Sequence, residues 1–200
     1  MTSMIKLIAT AVLLGTSSMA AAVNTTTYTF DNNAYKSVFT LSPFAQVVSG
    51  SVKNKYAAPL IGGVADTTKY LAVLGGGTAT FSQAMGRITS VGYDWGSIDR
   101  FNFIKAYSGD SLVSTIYGSA FPPATGAIGS AATNRFVTLN YAASSNVTKL
   151  VFGSDTNSFE LDNISVAAVP EPATWAMLVV GFGLVGAAKR RRTTTAAVAA

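Results

Sequence analysis

Residues 88–107 read ITSVGYDWGSIDRFNFIKAY. Two runs rich in Val, Ile, Phe, Tyr and Trp flank Gly96-Ser97, and this order predicts strand, turn, strand. In Arg100–Tyr107, Phe101, Phe103 and Tyr107 fall on one face, with Arg100 and Asn102 on the other. Similar short segments recur on both sides of this stretch, about ten residues apart. Before it come Thr25–Phe30, Ser37–Leu41, Val47–Val52, Tyr70–Leu74 and Thr78–Phe81. After it come Leu112–Tyr117, Arg135–Tyr141, Val147–Phe152 and Phe159–Val169. Gly75-Gly76-Gly77 and Pro122-Pro123 punctuate the series as loops, and no part of it holds a helical period. The prediction is an all-β body over residues 23–169, a jelly-roll-like β-sandwich.

The last strand carries an irregularity. Phe159 and Leu161 are apolar at odd positions, Ile164 and Val166 at even ones. A strand changes face only by inserting a residue, so a bulge is expected at Asp162-Asn163.

Composition narrows the chemistry. The 200 residues contain no cysteine and no histidine. That removes disulfides, thiolate and imidazole metal ligands, and Ser-His or Cys-His catalysis. The net charge of +5 belongs mostly to the ends, because residues 23–169 hold nine Lys/Arg against eight Asp/Glu. No basic run exists in the body to neutralise phosphates, so no nucleic-acid partner is expected.

The two ends read differently from the body. Lys6, then the apolar run Leu7–Leu14, then small residues through Ala22 have the order of a secretory signal peptide over residues 1–22. Ala173–Ala188 is uncharged, with Trp175 near one end and Lys189–Arg192 at the other. Sixteen helical residues span about 24 Å, a little under a hydrocarbon core of about 30 Å. The aromatic and cationic flanks predict one C-terminal transmembrane helix, its cations on the cytoplasmic side.

Pro170-Glu171-Pro172, Trp175-Ala176, the glycine-containing apolar run and Arg190-Arg191-Arg192 together resemble the PEP-CTERM sorting signal. The resemblance covers residues 170–192 and leaves a short tail, 193–200. It implies a Gram-negative source, export, an anchored intermediate at the inner membrane, and recognition by an exosortase, an integral-membrane cysteine protease. The cell surface or an extracellular polysaccharide matrix is then the destination. Residues 93–102 also resemble a stretch seen in other exosortase-sorted surface proteins.

Within the body, Glu160 and Asp162 share a strand face beside the expected bulge. Phe159–Val166 resembles the closing strand of carbohydrate-binding jelly rolls, where an acidic residue ligates a structural calcium. With Asp31 near the first strand, Glu160 and Asp162 are the candidate Ca²⁺ ligands. Trp95 is the candidate sugar-binding platform, a core position being its other reading. Three functions remain open. The leading one is a non-enzymatic surface or matrix protein whose body engages polysaccharide. A polysaccharide hydrolase would draw two carboxyls from Asp94, Asp99, Asp155, Glu160 and Asp162. A purely structural or ice-interacting protein would need no pocket.

Overall fold

A computed structural model describes residues 22–82 and 86–170 and, beyond them, 176, 178–186 and 189–190. Thirteen strands form among these residues. They are β1 (Asn24–Tyr28), β2 (Phe39–Leu41), β3 (Ala45–Val48), β4 (Leu60–Ile61), β5 (Val64–Ala65), β6 (Tyr70–Val73) and β7 (Gly77–Ser82). Then follow β8 (Arg87–Gly96), β9 (Asn102–Ser108), β10 (Ser111–Tyr117), β11 (Arg135–Asn140), β12 (Lys149–Ser154) and β13 (Phe159–Val169).

Two antiparallel sheets form a sandwich. The first has the order β11-β8-β13-β6-β3, with β1 paired to the C-terminal half of β13. The second has the order β10-β9-β12-β7-β2. β4 and β5 make a separate hairpin. The chain changes sheet at most connections, so nearly all pairing is between distant segments. The exception beside β4–β5 is the β9–β10 hairpin, closed by Gly109-Asp110, where a φ of +57° suits glycine.

The alternation expected of β11 is present: Val137 and Leu139 point into the core and their neighbours face out. In β9 the buried face is Asn102, Ile104 and Ala106, while Phe103 and Tyr107 lie on the outer face. Aromatic content alone therefore pointed to the wrong side of that strand. The core is instead filled by rings from both sheets. Trp95 and Phe159 are 4.6 Å apart, Phe39 and Phe81 5.2 Å, and Tyr93 and Phe152 5.6 Å.

The irregularity in β13 is real. Its pairing with β8 shifts between Asp162 and Ser165, and Asn163 sits at a φ of +49°. The inserted residue lets Phe159 and Leu161, then Ile164 and Val166, all face the core.

The expected signal peptide falls on residues 1–22, of which 1–21 lie outside the described residues. Ala176, 178–186 and 189–190 are helical, so the helix expected over Ala173–Ala188 is described in part. Its apolar side chains are exposed, Phe182 at 71% and Leu184 at 67%. Among the described residues no helix is long and apolar enough to cross a membrane.

Candidate functional site

Glu160 is buried at 1% exposure on the outer side of β13, beneath the loop that follows β3. A carboxylate removed from water needs donors, and three segments supply them. The Ala57 amide donates to Oε1 over 3.0 Å. Ser97 Oγ donates to Oε2 over 2.7 Å. Ser158 Oγ donates to Oε1 as well. Burial pushes the Glu160 carboxyl above its ordinary range, and the two serine hydroxyls and the Ala57 amide pull it back. Glu160 is thus a clasp that ties three chain segments together.

Two buried asparagines complete the frame. Asn134 Oδ1 accepts from the Ser97 amide at 3.0 Å and the Leu60 amide at 3.2 Å. Asn102 Oδ1 accepts from the Asp99 amide at 2.9 Å, and its Nδ2 donates to Ser154 Oγ and the Ser158 carbonyl. The loops at this end of the sandwich are therefore held by buried polar side chains whose bonds are made.

Between these loops lies a cleft of about 430 Å³, lined among others by Lys53, Asn54, Lys55, Asp99, Asn157 and Glu160. Asn157 is occupied: its Oδ1 accepts from the Gly75 amide at 2.8 Å, and its Nδ2 donates to the Asn54 carbonyl at 3.0 Å. Asp99 is different. Its carboxyl faces the cleft and receives no hydrogen bond from the described residues. Burial pushes it up to about 6, opposed by the Arg100 charge. At neutral pH it is an ionised acceptor without a protein donor among the described residues, packed against Gly126 in a cleft that Lys53 and Lys55 also line.

The candidate calcium set does not assemble. The oxygens of Glu160 are taken by protein donors, and Asp31 Oδ1 accepts from the Lys69 amide at 2.9 Å. Among the described residues no three Asp or Glu side chains are grouped so as to hold a metal ion. Asp162 meets Asp66, a residue that sequence reading passed over, and lies close enough to Asp31, as expected from the pairing of the first and last strands, to feel its charge. Asp162 Oδ1 and Asp66 Oδ2 are both buried without a hydrogen-bond partner. Asp66 Oδ1 is occupied by Thr68, whose amide and hydroxyl donate to it at 2.8 and 2.6 Å, a local turn motif.

Burial pushes the Asp162 carboxyl up to about 7, against the Asn163 amide, and the negative charges of Asp66 and Asp31 raise it further. An acid whose folded value exceeds its unfolded one binds its proton more tightly in the native state. Its stabilisation is complete below the unfolded value, about 4, and is lost as pH rises towards 7. Glu160 and Asp99 act in the same direction. The melting temperature is therefore expected to be about 5–10 °C lower at pH 8 than at pH 5, and Asp162→Asn should shrink that difference. Calorimetry at both pH values checks this, and a wild type that melts at the same or a higher temperature at pH 8 would refute it.

Trp95 is not a ligand platform. It is 0% exposed, sandwiched among Phe159, Phe121 and Tyr93. Its inward direction follows from its place in β8, in step with Tyr93 and Val91. Asp94 lies on the outer face, where its Oδ2 accepts from Asn163 Nδ2 at 2.9 Å. Asp155 is exposed. In the expected sorting segment, Pro170 directly follows β13, and Ala176 and Arg190 are helical. Glu171, Pro172, Trp175, Arg191, Arg192 and the tail 193–200 lie outside the described residues.

Comparison with known proteins gives one family match. Residues 168–192 match the PEP-CTERM protein-sorting motif, which indicates export and sorting to the cell envelope or surface. No curated protein matches at a significant level. Three solved structures are similar in shape. The K2 cleaved adhesin domain of Lys-gingipain is 15% identical, with a TM-score of 0.45, over 72% of this chain and 99% of that one. The C-terminal CBM6 of a marine laminarinase from Zobellia galactanivorans is 11% identical, with a TM-score of 0.43, over 72% and 98%. An exo-beta-1,3-galactanase from Phanerochaete chrysosporium, solved with galactose, is 19% identical, with a TM-score of 0.41. This chain covers 29% of the galactanase and is itself covered over 72%.

Proposed function

We propose that this chain, which carries a PEP-CTERM sorting motif at residues 168–192, is an exported surface or matrix protein whose β-sandwich binds polysaccharide. The motif's apolar run and basic end hold the chain at the inner membrane until an exosortase acts on it. The body is then delivered to the surface. The observation that carries the binding assignment is the cleft at the loop end of the sandwich, lined by Lys53, Lys55 and an Asp99 carboxylate that has no protein donor among the described residues. A carboxylate without a protein donor can accept from a sugar hydroxyl, and Lys53 and Lys55 can donate to ring or hydroxyl oxygens.

The body acts by binding, not by cleavage. Glycoside hydrolysis needs two working carboxyls about 5–9 Å apart. Glu160 is the second carboxyl facing this cleft, and its oxygens are spent on Ala57, Ser97 and Ser158.

A glycan array followed by calorimetry on the best-binding oligosaccharide tests this. Affinity should rise with pH through about 6 as Asp99 ionises. Asp99→Asn should weaken binding by about tenfold or more, in line with the roughly 1.5–3 kcal/mol expected of a hydrogen bond to a charged group, and abolish that pH dependence. Unchanged affinity in Asp99→Asn would remove the cleft from consideration.

A further inference from the structure

We propose that the outer face of the second sheet is a separate binding surface for an acidic polysaccharide, a chain bearing uronate carboxylates. This rests on the polysaccharide-binding reading of the body, and adds to it a ligand class and a site distant in kind from the cleft.

The register of the strands lays this face out as a grid. Tyr117, Phe103 and Gly153 form one row across β10, β9 and β12. Thr115, Lys105 and Val151 form the next, and Leu112, Tyr107 and Lys149 the third. Phe103 leans across the sheet over Gly153, where a Cβ would come within 2.2 Å of the ring, so only glycine admits it. Lys105 Nζ stands 4.8 Å from the Phe103 centroid, and Lys149 Nζ 4.9 Å from that of Tyr107. Each ammonium is thus kept over a ring and raised above the sheet, with little side-chain freedom left to lose on binding.

The charge is one-sided. None of β2, β7, β9, β10 and β12 contains an acidic residue. Asp110, in the β9–β10 turn, pairs with Lys149 at 2.9 Å, but its side chain is fully exposed, and such pairs are weak and readily exchanged. Lys105 has no acidic partner among the described residues. Tyr117 is 46% exposed, stands edge-on to Phe103 at 6.3 Å, and offers a ring on which a sugar can stack near Lys105. Lys105 near the Tyr117–Phe103 pair, and Lys149 about four residues along β9 with only an exposed Asp110 to displace, match a polymer that repeats a carboxylate and an apolar sugar face. A neutral glycan offers these ammonium groups hydroxyl acceptors but no opposite charge.

The test is calorimetry on the full-length chain in detergent micelles with three probes: a polyuronate (alginate), neutral dextran, and polyacrylate as a sugar-free polyanion. Alginate should bind more tightly than dextran or polyacrylate, and more weakly as salt rises. Lys105→Gln/Lys149→Gln should lower alginate affinity at least tenfold, and Tyr117→Ala several-fold. These positions are at the surface, so unchanged melting curves will show that the variants are folded. Alginate affinity unchanged in the lysine pair overturns the inference. So does polyacrylate binding as tightly as alginate with Tyr117→Ala silent, which is charge attraction alone. If array glycans bind and alginate does not, this surface is refuted and the cleft stands. If no glycan binds, both readings fall.

Discussion

Trp95→Ala is expected to lower the melting temperature by about 10–15 °C and to leave a body that is partly unfolded at growth temperature. The indole is fully buried and packs 4.6 Å from Phe159, 5.4 Å from Phe121 and 5.7 Å from Tyr93. It joins strands β8 and β13 to the loop before β11. Removing a core tryptophan costs about 3–5 kcal/mol, because the cavity is only partly refilled. A domain has about 5–15 kcal/mol in all, and at this size each kcal/mol is worth about 2–4 °C. Trp95 Nε1 has no hydrogen-bond partner among the described residues, so the loss is one of packing. Trp95→Phe should therefore recover most of the stability. Thermal melts followed by near-ultraviolet circular dichroism would show it. A Trp95→Ala protein that melts within 2 °C of wild type would contradict the buried placement. Loss of glycan binding in this variant would report unfolding, and says nothing of a tryptophan in the site.

The second large effect is on delivery. Replacing Arg190, Arg191 and Arg192 with alanine should leave the protein unprocessed or mislocalised. In the proposed membrane-anchored intermediate, the basic cluster ends the apolar run and fixes its orientation, since cationic residues favour the cytoplasmic side of a membrane. Without it, the apolar run has no stop and the Pro170-Glu171-Pro172 segment is not held where a membrane protease can reach it. Blotting for the body in membrane and medium fractions, with the mass of the C-terminus, reads the result. Equal processing and equal release of wild type and variant would remove the arginines from sorting.

The sorting segment was legible because its parts are contiguous and ordered. The sandwich was legible because residue type alternates with a period of two, and the bulge at Asp162-Asn163 because that period changes phase. The β4–β5 hairpin was not, since two-residue strands leave no period to detect. The outward face of Phe103 and Tyr107 was hidden for a different reason. Their hydrophobicity is satisfied by lysine stems and a glycine floor on the outside of the sheet, which composition cannot separate from core burial. The cleft was hidden by distance along the chain. Glu160 meets Ala57 across 103 residues and Ser97 across 63. Asn134 reaches Ser97 across 37. No local pattern marks Asp66 as the neighbour of Asp162, because its own turn with Thr68 already explains an aspartate there. The calcium set failed for the same cause: strand parity put Glu160 and Asp162 on one face, but the loop folded over Glu160 supplied donors that parity does not reveal.

Strand β13 lies in the middle of its sheet, bonded to β8 on one side and to β6 and β1 on the other. It is also the last strand of the body in chain order, and the sorting motif matched over residues 168–192 overlaps its end. Until β13 arrives, the first sheet is split into two halves with no strand between them, and the pairing it makes is almost entirely long-range. In the export route proposed above, the body is expected to stay open until β13 is in place, so that its closure and the emergence of its C-terminal address coincide.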